Sequence, residues 1–176
     1  LLSRVPLFLF QAVQAALLPR LARLAAQGDL DEFRNGFRRL MQVVIAVGII
    51  GTLGSFAAGP ALLRIVYDDT LDRGSLTMLA LGSALYMVAL ATAQAVIALN
   101  GHARVGFGWL LGMVTFVGCT WLASDDLYTR VEIGLVASSV VALLVFAHSL
   151  RELLNDGALI SPDSLSDALS DRPFEA

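Results

Sequence analysis

The stretch LLSRVPLFLFQAVQAALLPRLARLAAQGDLDEFRNGFRR, residues 1–39, decides the fold. An apolar helical run over 1–18 meets a cluster of five arginines, Arg20, Arg23, Arg34, Arg38 and Arg39, and a second apolar run begins at Leu40. That order spells one membrane span, a basic turn and the start of another span. Short loops rich in Lys or Arg stay on the cytoplasmic side of a membrane, so this cluster sets the orientation expected of everything downstream.

Composition supports the reading. Of the 176 residues, 57% are hydrophobic and 15% charged, with a mean hydropathy of +0.73. These values lie outside the range of soluble domains. Helices that are apolar all round cannot be hidden in a core of this size, so the bilayer must take up their surface. The net charge of −3 gathers at one end: from Arg151 onward two arginines face six acids, while residues 1–150 carry ten arginines and nine acids. Nothing points to nucleic acid, and all twelve basic residues are arginine. Cys119 stands alone inside an apolar run, so neither a disulfide framework nor a thiolate metal site is expected, and no cofactor is implied. The chain opens on Leu1, already inside an apolar segment, which reads as the carboxy-terminal part of a longer protein.

Taken in order, the chain offers about five spans, at 1–18, 40–58, 74–100, 105–124 and 131–150, and an acidic cytoplasmic tail over 151–176. The fold class is all-α, a polytopic transmembrane helix bundle. Gly28-Asp29 closes the first turn, and Asp29 with Glu32 forms an acidic capping box that starts a helix. Gly48, Gly51 and Gly54, spaced by three, offer a surface for close helix approach, as do Gly106, Gly108, Gly112 and Gly118 in the fourth span. Gly59-Pro60 is expected to break the second span, leaving residues 61–67 in the outer interface. Asn100-Gly101 is a turn signal, and the polar segment from Ser161-Pro162 onward is expected to be disordered.

Counting arginines tests the topology. Seven fall on segments expected inside (Arg20, Arg23, Arg34, Arg38, Arg39, Arg104, Arg151) and three outside (Arg64, Arg73, Arg130). The carboxy terminus is therefore expected in the cytoplasm, with the protein multi-pass in the cytoplasmic membrane.

Arg4 is the leading candidate for chemistry. It precedes Pro19 by 15 positions, which on a straight helix places it roughly 22 Å from the basic end, inside the outer half of the bilayer. Gln11 lies two helical turns along the same face and Gln14 borders it. A guanidinium in lipid costs at least a few kcal/mol, so this face either lines protein or water and meets a phosphate, or Arg4 snorkels to outer headgroups while the glutamines bond between helices. Thr92 and Gln94 are candidates to touch a cavity, against the plainer role of interhelical hydrogen bonding. Asp68, Asp69 and Asp72 have the spacing of a magnesium-diphosphate motif, but no second such motif follows, and a solvated loop accounts for them. His102 and His148 lack an acidic partner nearby in sequence. No metal site or catalytic group is expected.

The order Arg4-Val5-Pro6, Phe10-Gln11-Ala12, Leu18-Pro19-Arg20-Leu21, Arg23, Gly28-Asp29 and Phe33, then Gly59-Pro60, Ile65-Val66-Tyr67 and Leu99-Asn100-Gly101-His102, resembles polysaccharide and lipid-linked oligosaccharide flippases. These share an exporter superfamily with the lipid II flippases and the multidrug and toxic compound exporters. The resemblance covers roughly residues 3–105; family members commonly carry Gly after the Tyr, where Asp68 stands here. It implies a parent of about twelve helices in two lobes around a central cavity, of which this chain would hold spans eight to twelve. It also implies transport, by alternating access, of a lipid diphosphate-linked glycan from inner to outer leaflet. Arg4 matches a position where related flippases carry a cavity arginine that would hold the diphosphate or a sugar acid, with Gln11 and Gln14 against the glycan.

On this reading the protein is a transporter and not an enzyme, and its partners are the bilayer, the lipid-linked glycan and the remaining helices of its parent. Three rivals stand beside it. A multidrug exporter coupled to Na⁺ or H⁺ would need intramembrane carboxylates, and spans 40–58, 74–100 and 105–124 contain none. A membrane-embedded prenyl or glycosyl transferase would need Asp68 and Asp72 for Mg²⁺-dependent activity. A cell-envelope scaffold would use the acidic tail to recruit a partner and would dispense with Arg4.

Overall fold

The structure, a computed structural model, describes residues 19, 21–67, 73–122 and 126–159. A short helix α1 over 21–27 precedes four long ones: α2 (Leu30–Tyr67), α3 (Arg73–Ala98), α4 (His102–Leu122) and α5 (Leu127–Leu159). Each of α2 to α5 is long and apolar enough to cross a membrane, and these four helices mark the chain as a membrane protein. The all-α expectation therefore holds, with four membrane-length helices among the described residues. The first expected span, 1–18, lies outside them.

Local chemistry sets the helix ends. After α1 the Asp29 N–H donates to the Leu24 carbonyl at 3.1 Å and the Gly28 N–H to that of Ala25 at 3.2 Å. This Schellman closure puts Gly28 at φ +73°, a conformation open to glycine without strain. Asp29 then accepts the Glu32 N–H at 3.0 Å and starts α2, as the capping signal implied. Asn100 closes α3 in the same way at φ 63°, with the Gly101 N–H on the Val96 carbonyl at 2.9 Å. Asp126 caps α5 by accepting both the N–H and the hydroxyl of Thr129 at 2.9 Å.

Two boundaries differ from expectation. Helix α2 runs unbroken through Gly59-Pro60 to Tyr67. A proline removes one helical N–H and crowds the carbonyl four residues back, but leaving the helix inside lipid would strand several backbone groups, so the single loss is the smaller cost. Helix α5 continues past Leu150 to Leu159, carrying the start of the expected tail in helical form.

The order in space is α2, α3, α5, α4. Helix α3 lies between α2 and α5, and α5 between α3 and α4, while α2 scarcely meets α5. Helix direction follows from the paired positions. Gly48 faces Ala84 and Gly59 faces Leu76, so α2 and α3 are antiparallel; Gly108 faces Phe146 and Gly134 faces Phe116, so α4 and α5 are too. Gly82 faces Leu135, and Gly101, just past α3, faces Leu153, so α3 and α5 are parallel. One end of the bundle thus carries Arg34, Arg38, Arg39, Arg104 and Arg151, and the opposite end carries Arg73 and Arg130.

The buried core belongs to the arginine-rich half. Phe33, Leu40 and Val44 of α2 join Ala89 to Val96 of α3 and Ala142, Phe146 and Leu150 of α5, with Leu21 and Leu24 of α1 closing the end. Trp109 of α4 stands edge-on to Phe146 at 5.1 Å and tilted against Tyr86 at 5.5 Å, locking three helices through one aromatic stack. Gly108 makes room for that ring, whereas a Cβ added at Gly51, Gly54, Gly106 or Gly118 would meet nothing within 4 Å among the described residues, so there the two glycine series are only partly used for packing. Ile50, Phe56, Met113, Val117 and Trp121 stand well exposed, an arrangement that suits lipid and would aggregate in water.

Candidate functional site

The residues singled out from the sequence fare unequally. Arg4, Gln11 and Gln14 lie outside the described residues, as do Asp68, Asp69 and Asp72. Thr92 and Gln94 are on α3, two positions apart and therefore on nearly opposite faces of the helix. Thr92 is 3% exposed within the core, and its hydroxyl donates back to the Val88 carbonyl at 2.8 Å. Gln94 is half-buried. The structure does not bring the pair onto one surface.

The arginine-rich end is built as a clamp on α5. Arg104 of α4 donates to Glu152 at 2.8 Å and reaches the Ser149 carbonyl at 3.4 Å. Arg34 of α2 pairs with Asp31 at 3.2 Å and donates to the Leu154 carbonyl at 3.4 Å. His148 Nε2 lies 3.2 Å from the other Glu152 oxygen, so His148 does have an acidic partner one helical turn away, contrary to expectation. Arg38 and Arg39 stand exposed on the first turns of α2, with no ion pair or hydrogen bond among the described residues. Exposed guanidinia at a bundle end suit phosphate-bearing headgroups, since each presents several donors in a planar fork.

Between α2 and α3 runs an apolar groove of about 480 Å³, open along one side. Ile45, Ile49 and Leu53 form one wall, Leu81, Leu85 and Val88 the other, and Gly48 against Ala84 lets the helices meet at its floor. Thr52 is its one hydroxyl, and it is satisfied by the Gly48 carbonyl at 2.8 Å. Such a groove offers no catalytic group and no hydrogen-bonding specificity. It can hold a hydrocarbon chain.

Glu132 was missed at the sequence level. It sits in the second turn of α5, 7% exposed, and its Oε1 is buried with no hydrogen-bond partner among the described residues. Counting carboxylates in the second, third and fourth spans passed over the fifth; a single acid inside an apolar run was the available signal. A charged side chain sealed within a membrane-spanning helix is costly, which makes such an acid a functional candidate by default.

At the opposite rim, Asp126 is fully solvent-facing, and its carboxyl lies below the usual carboxylate value, chiefly because the Thr129 N–H donates to it and secondly because the Thr129 hydroxyl does. Among the described residues no group of three metal-capable side chains occurs. Comparison with protein-family models, with curated proteins and with solved structures finds no match for this chain.

Proposed function

We propose that the chain is the carboxy-terminal part of a flippase that moves a lipid diphosphate-linked oligosaccharide or polysaccharide precursor across the cytoplasmic membrane by alternating access. In this reading the helices belong to one lobe of a two-lobe bundle, the arginine-rich end faces the cytoplasm, and Arg4, with Gln11 and Gln14, grips the diphosphate-linked head group. The observation that carries it is the apolar groove between α2 and α3, set in a bundle of membrane-length helices with exposed guanidinia at one end. A lipid-linked glycan needs a hydrocarbon surface for its tail and cationic donors for its phosphates, and the chain presents both. The resemblance over residues 3–105 supports the same conclusion.

The test is complementation in the full-length parent. Arg4→Ala is expected to abolish surface glycan at normal membrane abundance, with Arg4→Lys retaining part of it if charge suffices. Normal export from both variants would remove the substrate role of Arg4.

A second reading, a cation-coupled exporter of the same superfamily, is favoured by one observation, the buried carboxyl of Glu132. Export of lipophilic cations by the parent, with no change in glycan on its deletion, would select it.

A further inference from the structure

Glu132 differs from every other charged group described. Thr92, Ser139 and Ser149 are the other buried polar residues, and none carries a charge. None of the other described acids and arginines is buried. Glu132 lies 20 residues before Glu152 on the same helix, about 30 Å along the axis, which is one hydrocarbon thickness from the arginine-rich rim. It is therefore sealed within the packing yet close to the opposite surface.

The packing around it is defined by its neighbours on α5. Leu135, one turn on and on the same face, covers Gly82 of α3, where an added Cβ would come within 2.8 Å of it, and Ser139 donates to the Gly82 carbonyl at 3.4 Å. Gly134 rests on Phe116 of α4. Glu132 thus belongs to the place where α5 is wedged between α3 and α4. The charged or titratable groups described toward that end of the three helices are Arg73 on α3, Cys119 on α4, Asp126 at the start of α5, and Tyr128 and Arg130 on α5. Among the described residues no group donates a hydrogen bond to the buried Oε1 of Glu132.

A carboxyl in such a place is stabilised by a bound cation or by a proton. A metal cation needs several oxygen ligands, and among the described residues no group of three His, Cys, Asp or Glu side chains comes together to hold one. A proton needs no further ligand. It removes the charge and leaves a neutral side chain that packs.

We propose that Glu132 is a proton-binding site, and that its occupancy controls the packing of the first turns of α5 against α3 and α4. With the proton bound, the neutral carboxyl stays between the helices. When water enters from the near surface it accepts that proton, the carboxyl O–H bond breaks, and the resulting carboxylate draws the start of α5 outward into solvent. Glu132 is not among the residues that line the groove, and its site holds whether or not the protein carries a glycan.

The experiment is infrared difference spectroscopy on the full-length protein in nanodiscs of phosphatidylethanolamine and phosphatidylglycerol, stepped from low to high pH, with amide hydrogen exchange followed in parallel. The wild type is expected to lose one protonated-carboxyl stretching band as pH rises, and exchange over residues 127–131 should increase over the same interval. In Glu132→Gln, an isostere of the protonated form, the band is expected to vanish at every pH and the exchange to stay slow. In Glu132→Asp the band should persist at a shifted frequency, which keeps the assignment testable if the glutamine variant folds poorly. A band unchanged in Glu132→Gln, or absent from the wild type throughout, would overturn the proton site; a titrating band without any change in exchange would overturn its link to packing.

Discussion

Arg104 of α4 holds Glu152 of α5 at 2.8 Å, and the same guanidinium reaches back to the Ser149 carbonyl, so one side chain closes the arginine-rich end of α4 onto α5. Both partners are roughly two-fifths to one-half exposed, at 39% and 47%, so solvent screens much of the attraction. A pair of this kind contributes roughly 0.2–1 kcal/mol. Arg104→Ala and Glu152→Ala are each expected to lower thermal stability in detergent slightly, and their double-mutant cycle should show coupling in that range. The coupling should shrink with added salt, as exposed charges are screened. Full additivity at low salt would show that the contact contributes nothing.

Gly108 and Gly106 make an internal control for close packing. A Cβ at Gly108 would fall inside the contact surface of the Phe146 ring, whereas one at Gly106 meets nothing within 4 Å. Gly108→Ala is therefore expected to destabilise the bundle by about 1–3 kcal/mol through overpacking, and Gly106→Ala to cause no loss. Phe146→Leu should recover part of the Gly108→Ala defect, because a smaller side chain returns the space. Unfolding of the three variants in mixed micelles measures this, and equal effects from the two glycine changes would refute the packing account.

Those contrasts show which parts of the fold were legible in the sequence. The turns at Gly28-Asp29 and Asn100-Gly101 were, because their chemistry is local: a left-handed residue closes one helix, and Asp29 caps the next. Pro60 misled, since the reading of proline as a stop assumes water is present to satisfy the freed backbone. The extension of α5 to Leu159 was hidden because Arg34 and Arg104, which tie its end, come from other helices. Hydropathy ranks Gly106 and Gly108 alike, yet one faces a ring and the other open space. Glu132 was in plain view as an acid in an apolar run; its burial is a tertiary fact. Arg4, Gln11 and Gln14, the core of the candidate substrate site, fall outside the described residues, so that site rests on sequence alone.

Asp126 gives a pH prediction with a definite sign. Its carboxyl is lowered below the ordinary 3.8 by the Thr129 N–H first and the Thr129 hydroxyl next. A group lowered in the folded state adds stability that is fully present above the unfolded value and is lost as pH falls through the lower folded value. The start of α5 should therefore be insensitive to pH near neutrality and fray only in acid, below about pH 4. Amide exchange at Thr129 measures it: protected in the wild type at neutral pH, exposed in Asp126→Ala, with Asp126→Asn intermediate. Equal protection in the alanine variant would show that the cap is dispensable.

The groove between α2 and α3 makes the flippase reading testable apart from Arg4. Leu81 lines it and is 38% exposed, so its side chain stands at the open edge. Leu81→Trp places an indole across the opening without adding charge or disturbing the Gly48–Ala84 contact at the floor. Leu110 on α4, 59% exposed and not a lining residue, is the matched control, because a tryptophan there adds the same apolar surface toward lipid. If the groove carries the hydrocarbon tail of a lipid-linked glycan, Leu81→Trp should reduce surface glycan several-fold at unchanged abundance in the full-length parent, and Leu110→Trp should not. Ile49→Trp on the facing wall should reproduce the loss, since either wall can narrow the same space. Normal export from both groove variants would remove the groove from the transport path, and equal loss from the α4 control would assign the effect to bulk in lipid instead of blockage of a track.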